Sequence, residues 1–410
     1  MNSQTNISFD NTAAAFAYKK DADLKRANFL FSAMGKPWLI NAALKITPLA
    51  IKWGIPFTKT IIRKTLFPQF VGGETLEETS AVAKKLGEYD VQVILDYGVE
   101  GGDDGESGFE LSTKEFIRVI DYAATQPNIP FMSVKVTGFS RFALLEKLDA
   151  LMHTAEGTLM KRYLKAVELL SHDEKEEWHR VRVRMLKICE AGAANKIGVL
   201  IDAEETWIQD PVDALTILMM DTFNKSKQVV FNTLQLYRHD RLEFLKDSYN
   251  AATERNFILG TKLVRGAYME KERARAFEKN YPSPIQPDKE SCDKDYNEAV
   301  EFCLNRLDVI SVIIATHNEQ SNLAAAAVLQ TKNIPLHHPH VHFSQLFGMS
   351  DNITINHAKA GCSVSKYLPF GPIKDVIPYL MRRAQENSSV SGQTGRELGL
   401  IKKEMDRRKL

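Results

Sequence analysis

Tyr379, Arg382, Arg383 and Glu386 stand at i, i+3, i+4 and i+7. Over a helix predicted at 375–388, that spacing puts a phenol, two guanidiniums and a carboxylate on one face. A guanidinium grips a carboxylate through two parallel N–H donors, so two adjacent arginines make a fork for a small anionic ligand. A solvated face would carry similar residues, because cations near a helix C-terminus favour its dipole. The choice rests on what the rest of the chain brings to this face.

Other polar residues fall at regular places. From residue 90 onward, short β-rich runs alternate with longer helical stretches: 91–98, 131–138, 198–204, 228–237, 258–266, 309–317, 340–347 and 362–370. Most are rich in Val, Ile and Leu and are bounded by Gly, Pro, Asn or Asp, the pattern of buried parallel strands. Eight such runs with helices between them predict an α/β fold, a closed (βα)8 TIM-type barrel over 91–395. Residues 1–90 read as a helical N-terminal arm, 139–197 as two or three helices inserted between strands 2 and 3, and 396–410 as a charged C-terminal tail. Lys135, Asp202, Gln235, Arg265, Thr316, His317, Leu346 and Tyr367 then lie at or near the C-terminal ends of different strands, the face on which barrel active sites are built. Lys135 and Asp202 interrupt apolar runs, and a buried charge is costly unless paired.

Composition narrows the classes. Among 410 residues, 53 Lys+Arg against 52 Asp+Glu leave a net charge of +1, so no global field favours nucleic acid. The four cysteines are far apart and lack CxxC spacing, as in a reducing compartment. The first residues lack a signal peptide's apolar core, and no run of about 18 uncharged apolar residues spans a bilayer. A cytoplasmic protein is expected. Residues 36–71 are apolar but interrupted by Lys45, Lys52, Lys59 and prolines. They read as an arm packed on the protein, with peripheral membrane contact as the alternative. His340 and His342 would share one strand face, but nothing nearby completes the three protein ligands of a catalytic zinc, so no metal is expected.

The segments LDYGVE, SVKVTG, IDAEET, LQLY, KLVRGAYMEKERA, ATHN, FSQLFGM and KYLPFGP…YLMRRAQENSSV resemble the proline dehydrogenase family, and most closely its stand-alone mitochondrial type. The resemblance covers most of 90–395 and implies a distorted (βα)8 barrel that binds FAD. It implies that Arg382, Arg383 and Lys135 hold the proline carboxylate, and that Tyr268, Leu346, Tyr367 and Tyr379 wall the ring. Glu386 would support the arginines, and Glu100 would gate the site by pairing with the first of them. Asp202 matches an active-site aspartate. Ala203, Gln235, Arg265, Gly266, Ala267, Thr316 and His317 match FAD-contacting positions, and Lys289 a lysine near the phosphates. Many bacterial relatives read R-L-V-K-G-A-Y where this chain reads Lys262-Leu-Val-Arg265-Gly-Ala-Tyr268. Lys262 therefore takes the place of a catalytic arginine near the flavin.

The implied reaction is hydride transfer from L-proline to FAD, giving 1-pyrroline-5-carboxylate, with electrons passed to a quinone. It needs a neutral amine and an acceptor about 3–3.5 Å from the reacting carbon. A separate pyrroline-5-carboxylate dehydrogenase would act next, because no aldehyde dehydrogenase segment follows Leu410. Hydroxyproline is the alternative substrate on the same scaffold. A DNA-binding or purely structural role has no support in residues 1–35.

Overall fold

The eight β-rich runs become eight parallel strands: β1 Gln92–Tyr97, β2 Phe131–Val134, β3 Gly198–Ile201, β4 Val230–Gln235, β5 Leu259–Val264, β6 Ile310–Ala315, β7 Val341–Leu346 and β8 Val364–Phe370. They pair in sequence order, and β8 returns to β1, closing the barrel. The computed structural model describes residues 7–36, 38, 42, 45–47, 49, 50, 53, 57–98, 105–389 and 391–410, leaving out the side chains of 385–389 and 391–394. Every strand is shorter than its run in the sequence. Residues just past the strand ends leave the ladder to turn into loops, and Lys135 opens the short turn Val136–Gly138.

Strand side chains alternate between the barrel interior and the surrounding helices. Ile94, Leu200, Phe231 and Ile313 form an apolar plug, with Phe131 and Tyr367 packed against it. The register places Ile94 beside both Phe131 and Tyr367, so these residues share the inner face. The outward residues, among them Val93, Leu95, Val199 and Leu263, join the larger core beneath the helices.

Three helices, Phe142–His153, Leu159–Glu168 and His172–Asn195, fill the interval between β2 and β3. The last begins with a reciprocal capping box between Ser171 and Glu174, which satisfies two end groups that a bare helix leaves unpaired. The arm contains Asp21–Met34, Thr58–Thr65 and Leu76–Gly87 among its helices.

The charged tail expected at 396–410 is instead part of a helix, Ser391–Arg408. Glu397, Leu400, Ile401 and Glu404 are buried. They recur at three- and four-residue intervals, a stripe hidden among lysines and arginines. Phe16, Leu24 and Phe31 of the arm, Val376 and Tyr379 of the Ile373–Ser389 helix, and Ile401 belong to one apolar cluster. The two ends of the chain are thereby packed together beside the barrel.

Candidate active site

One alternation step above the apolar plug, the inward positions turn polar. Ile94 is followed by Asp96, Leu200 by Asp202, and Gly260 by Lys262. Phe131 leads through Ser133 to Lys135, and Phe231 through Thr233 to Gln235. A period of two carries each strand's inner face up to the C-terminal mouth. All seven of these polar residues are buried.

Asp202 is the centre. The Lys262 ammonium donates to Oδ1, the Tyr367 hydroxyl donates to Oδ2 at 2.6 Å, and Lys135 Nζ lies 3.6 Å from Oδ2. Lys135 also stands 3.5 Å from Asp96 Oδ1. Burial alone would raise the Asp202 carboxyl. The Lys262 and Lys135 charges and the bonds from Lys262 and Tyr367 outweigh it and hold the group well below the usual carboxylate range. Burial and the Asp202 charge push the Tyr367 phenol well up. At neutral pH Asp202 is therefore ionised and Tyr367 protonated. The Lys262 ammonium is 5.2 Å from the centre of the Tyr367 ring, within reach of a cation–π attraction.

A second polar cluster occupies the rim after β5 and β6. Arg265 donates to Asp293 at 2.7 Å, to the Thr316 hydroxyl at 2.6 Å and to the Ser321 hydroxyl at 3.0 Å. Its guanidinium carbon lies 4.3 Å from the Tyr296 ring centre. Lys289, largely exposed, pairs with the same Asp293. Gly266 has φ +139°, and a Cβ there would lie 2.5 Å from the Tyr237 ring. That position requires glycine. Ala267 continues the same turn, and Ala203 follows Asp202 in the β3 loop. Gln235 donates through Nε2 to the Glu204 carbonyl at 3.1 Å, while its Oε1 is buried with no partner among the described residues. His317 Nδ1 lies 2.9 Å from the Ser350 hydroxyl, and its Nε2 accepts the Leu346 N–H at 3.4 Å. Burial, then the Lys366, Arg383 and Arg265 charges, push His317 down to about 3.

The helix expected at 375–388 is Ile373–Ser389. Tyr379 and Arg383 are buried, and the Arg383 guanidinium lies 5.1 Å from the Tyr379 ring centre. Arg382 lies 5.6 Å from the ring of Tyr268, which joins this helix to the loop after β5. The helix is thus tied to the barrel mouth, and the solvated-face reading gives way to an inward one. Glu100 and the Glu386 side chain lie outside the described residues.

Several polar partners were not anticipated: Asp96, Asp293, Ser321 and Ser350. Asp96 carried the same signal as Lys135, a charge in an apolar run. The other three lie on helices or turns, where a polar residue is ordinary. The histidine-rich stretch lies at the opposite, N-terminal end of β7. There His340 Nδ1 bonds the Leu307 carbonyl at 2.7 Å, and burial pushes His342 down to about 3. Among the described residues, no group of three or more His, Cys, Asp or Glu could hold a metal ion.

Comparison with known proteins agrees with this architecture. The chain is 30% identical over 439 residues to mitochondrial proline dehydrogenase 1 of Dictyostelium discoideum, covering 99% of this chain and 76% of that protein. It is 34% identical to the carbapenem antibiotics biosynthesis protein CarD of Pectobacterium carotovorum over 83% of each chain. It is 29% identical to hydroxyproline dehydrogenase of Xenopus laevis, over 98% of this chain and 90% of that one. Among solved structures, proline utilization A from Bdellovibrio bacteriovorus superposes with a TM-score of 0.68 at 18% identity. The match covers 95% of this chain but 40% of that longer protein, and at that identity it bears on the fold alone. The proline dehydrogenase family model spans residues 79–396, and the chain belongs to the proline dehydrogenase family.

Proposed function

We propose that this chain oxidises L-proline to 1-pyrroline-5-carboxylate with FAD as the immediate electron acceptor, the first step of proline catabolism, and that a quinone takes the electrons onward. The observation that carries the reading is the buried Lys135–Asp202–Lys262–Tyr367 constellation, with the Arg382–Arg383 helix tied to the same barrel mouth.

The rim residues fit FAD. The buried Oε1 of Gln235 can accept from an N–H donor. At Gly266 the backbone packs against the Tyr237 ring too closely for any Cβ, which fixes the turn that holds Arg265 on the rim. Arg265 and Lys289 set two positive charges around the single carboxylate of Asp293, so the trio keeps an excess positive charge for phosphates. Bound FAD supplies the two-electron acceptor.

The chain's own residues supply the rest. Arg382, Arg383 and Lys135 bind the substrate carboxylate, and Tyr268, Leu346, Tyr367 and Tyr379 hold the ring and exclude water. The family resemblance gives Glu386 the role of supporting the arginines and Glu100 that of gating the site. Lys262, fixed by Asp202, sets a positive charge in the mouth where negative charge develops on the acceptor. Asp202, ionised and bonded to Lys262 and Tyr367, orients these groups and does not take the proton of the amine.

Peripheral membrane contact would bring the quinone within reach. No helix among the described residues is long and apolar enough to cross a membrane. The arm exposes Phe29, Trp38, Trp53, Phe57 and Ile61, and residues 24–73 hold eight Lys or Arg and no Asp or Glu. Aromatic residues beside cations suit an anionic lipid surface.

Absorbance spectra of the purified protein before and after anaerobic proline addition test the reading. Oxidised-flavin bands that bleach with proline are expected. Protein that stays colourless after purification with FAD supplied would sink it.

A further inference from the structure

The turn after β7 is gripped by groups that the proposed reaction does not use. From the arm, Gln69 Nε2 donates to the Gly348 carbonyl at 2.6 Å. Gly348 has φ +82°, and a Cβ there would lie 1.8 Å from the Gln69 carbonyl oxygen. Lys366 of β8, fully buried, donates to the Met349 carbonyl and pairs with Asp351 at 3.0 Å. Asp351 also pairs with Lys19 at 2.9 Å and accepts the Tyr18 hydroxyl at 2.9 Å.

The C-terminal helix adds the remaining grip. Ser350 adopts a left-handed conformation, φ 51° and ψ 45°, which costs a non-glycine residue about 1–2 kcal/mol. Glu397 Oε2 accepts the Ser350 N–H at 2.9 Å, a bond that can offset that cost. The Ser350 hydroxyl in turn meets His317 Nδ1. Because the Leu346 N–H can only donate, His317 Nε2 must accept. A neutral imidazole has one donor and one acceptor, so the proton sits on Nδ1 and donates to Ser350 Oγ.

We propose that Glu397 is a positioning residue for the oxidation: by fixing Ser350, it holds His317 as the Nδ1–H tautomer with the Leu346 backbone docked on Nε2. The catalytic side of this claim rests on the reading given under Proposed function, in which Leu346 walls the substrate ring, and on the family resemblance, which makes His317 an FAD-contacting position. The charged groups that act on Glu397 come from three other elements, Asp351 after β7, Lys19 from the arm and Lys366 from β8, and Glu397 acts in turn on the Tyr18 phenol of the arm. Burial and the Asp351 charge push Glu397 up to about 7, against the opposing pull of Lys19 and Lys366. Glu397 therefore changes charge near neutral pH while His317 stays neutral.

The test follows the His317 ring in the full chain as purified, by nitrogen-15 NMR with labelled histidine, its signal assigned by loss in His317→Asn. The parent is expected to show the Nδ1–H tautomer. Glu397→Ala should average the two tautomers, and Glu397→Gln, which keeps an oxygen for the Ser350 N–H, should restore the parent signal. Ser350→Gly keeps the left-handed backbone and removes the hydroxyl, so it should also release the tautomer even if Glu397→Ala does not fold. In the flavin-loaded enzyme, Glu397→Ala should lower kcat roughly tenfold with a smaller change in KM. The parent pH profile should carry an inflection near 7 that Glu397→Gln lacks. An unaltered His317 tautomer in Ser350→Gly, or in folded Glu397→Ala, would overturn the proposal. The tautomer readout needs neither FAD nor proline, so a failure of the proline reading would show separately as absent bleaching.

Discussion

The Tyr367 hydroxyl donates to Asp202 Oδ2 at 2.6 Å, linking β8 to the loop after β3 across the mouth of the barrel. A phenol held in this way cannot swing aside to admit extra bulk, because the ring is also packed against the apolar plug. Proline should therefore be preferred over trans-4-hydroxyproline by at least roughly tenfold in kcat/KM, about 1.4 kcal/mol of differential transition-state binding. Tyr367→Ser should narrow that ratio, chiefly by weakening proline turnover. Comparing kcat/KM for both substrates in both proteins decides the matter. An unaltered ratio would show that Tyr367 is not the selectivity wall.

Lys262 and Asp202 form a buried ion pair, with side chains 5% and 11% exposed. Removing one partner of such a pair typically destabilises by about 3–5 kcal/mol, since the other charge is left in the interior. Lys135, 3.6 Å away, retains part of the compensation. Lys262→Met is expected near the lower end of that range in chemical denaturation, with turnover lost. Full stability at neutral pH would mean that Lys135 alone satisfies Asp202.

Arg383 is buried beside Tyr379. Replacing it with Met removes charge-assisted donors worth about 1.5–3 kcal/mol each to a bound carboxylate. The proline KM should rise roughly ten- to hundredfold. Flavin content should be retained, because the rim cluster of Arg265, Thr316 and Asp293 is untouched. Flavin loss would instead assign this helix to the cofactor pocket.

Glu397 also gives stability a pH signature. Its pKa is raised from 4.5 to about 7 by burial and then by Asp351. Between those values the folded state binds more protons than the unfolded chain, so its contribution falls as pH rises from 4.5 through about 7. A shift of that size corresponds to about 3 kcal/mol. His317, His342 and His357, each pushed down to about 3 by burial first, act in the opposite sense below 6.5. The difference between parent and Glu397→Gln unfolding free energies isolates the glutamate. The variant should gain on the parent across pH 4.5–7 and stay level above it; parallel curves would rule out a buried, titrating Glu397.

Much of the architecture was legible in the sequence. Eight β-rich runs bounded by turn residues each became a strand, because burial on both faces of a parallel barrel demands a continuous apolar run. Lys135 and Asp202 stood out because a charge inside such a run is costly unless paired. The family segments marked Arg265, Thr316 and His317, all of which fall together on the rim. The sequence could not say which charges meet. Lys135 stands between Asp96 and Asp202, an arrangement decided by which strands neighbour one another in the closed ring. The C-terminal segment reads as a charged tail in sequence because its charges outnumber the apolar residues, yet it folds as a helix with a buried stripe. Its Glu397 reaches Ser350 across 47 positions of chain. Local periodicity fixes which way a side chain faces along its own element; its partner is set by how distant elements pack, and no spacing within one segment encodes that.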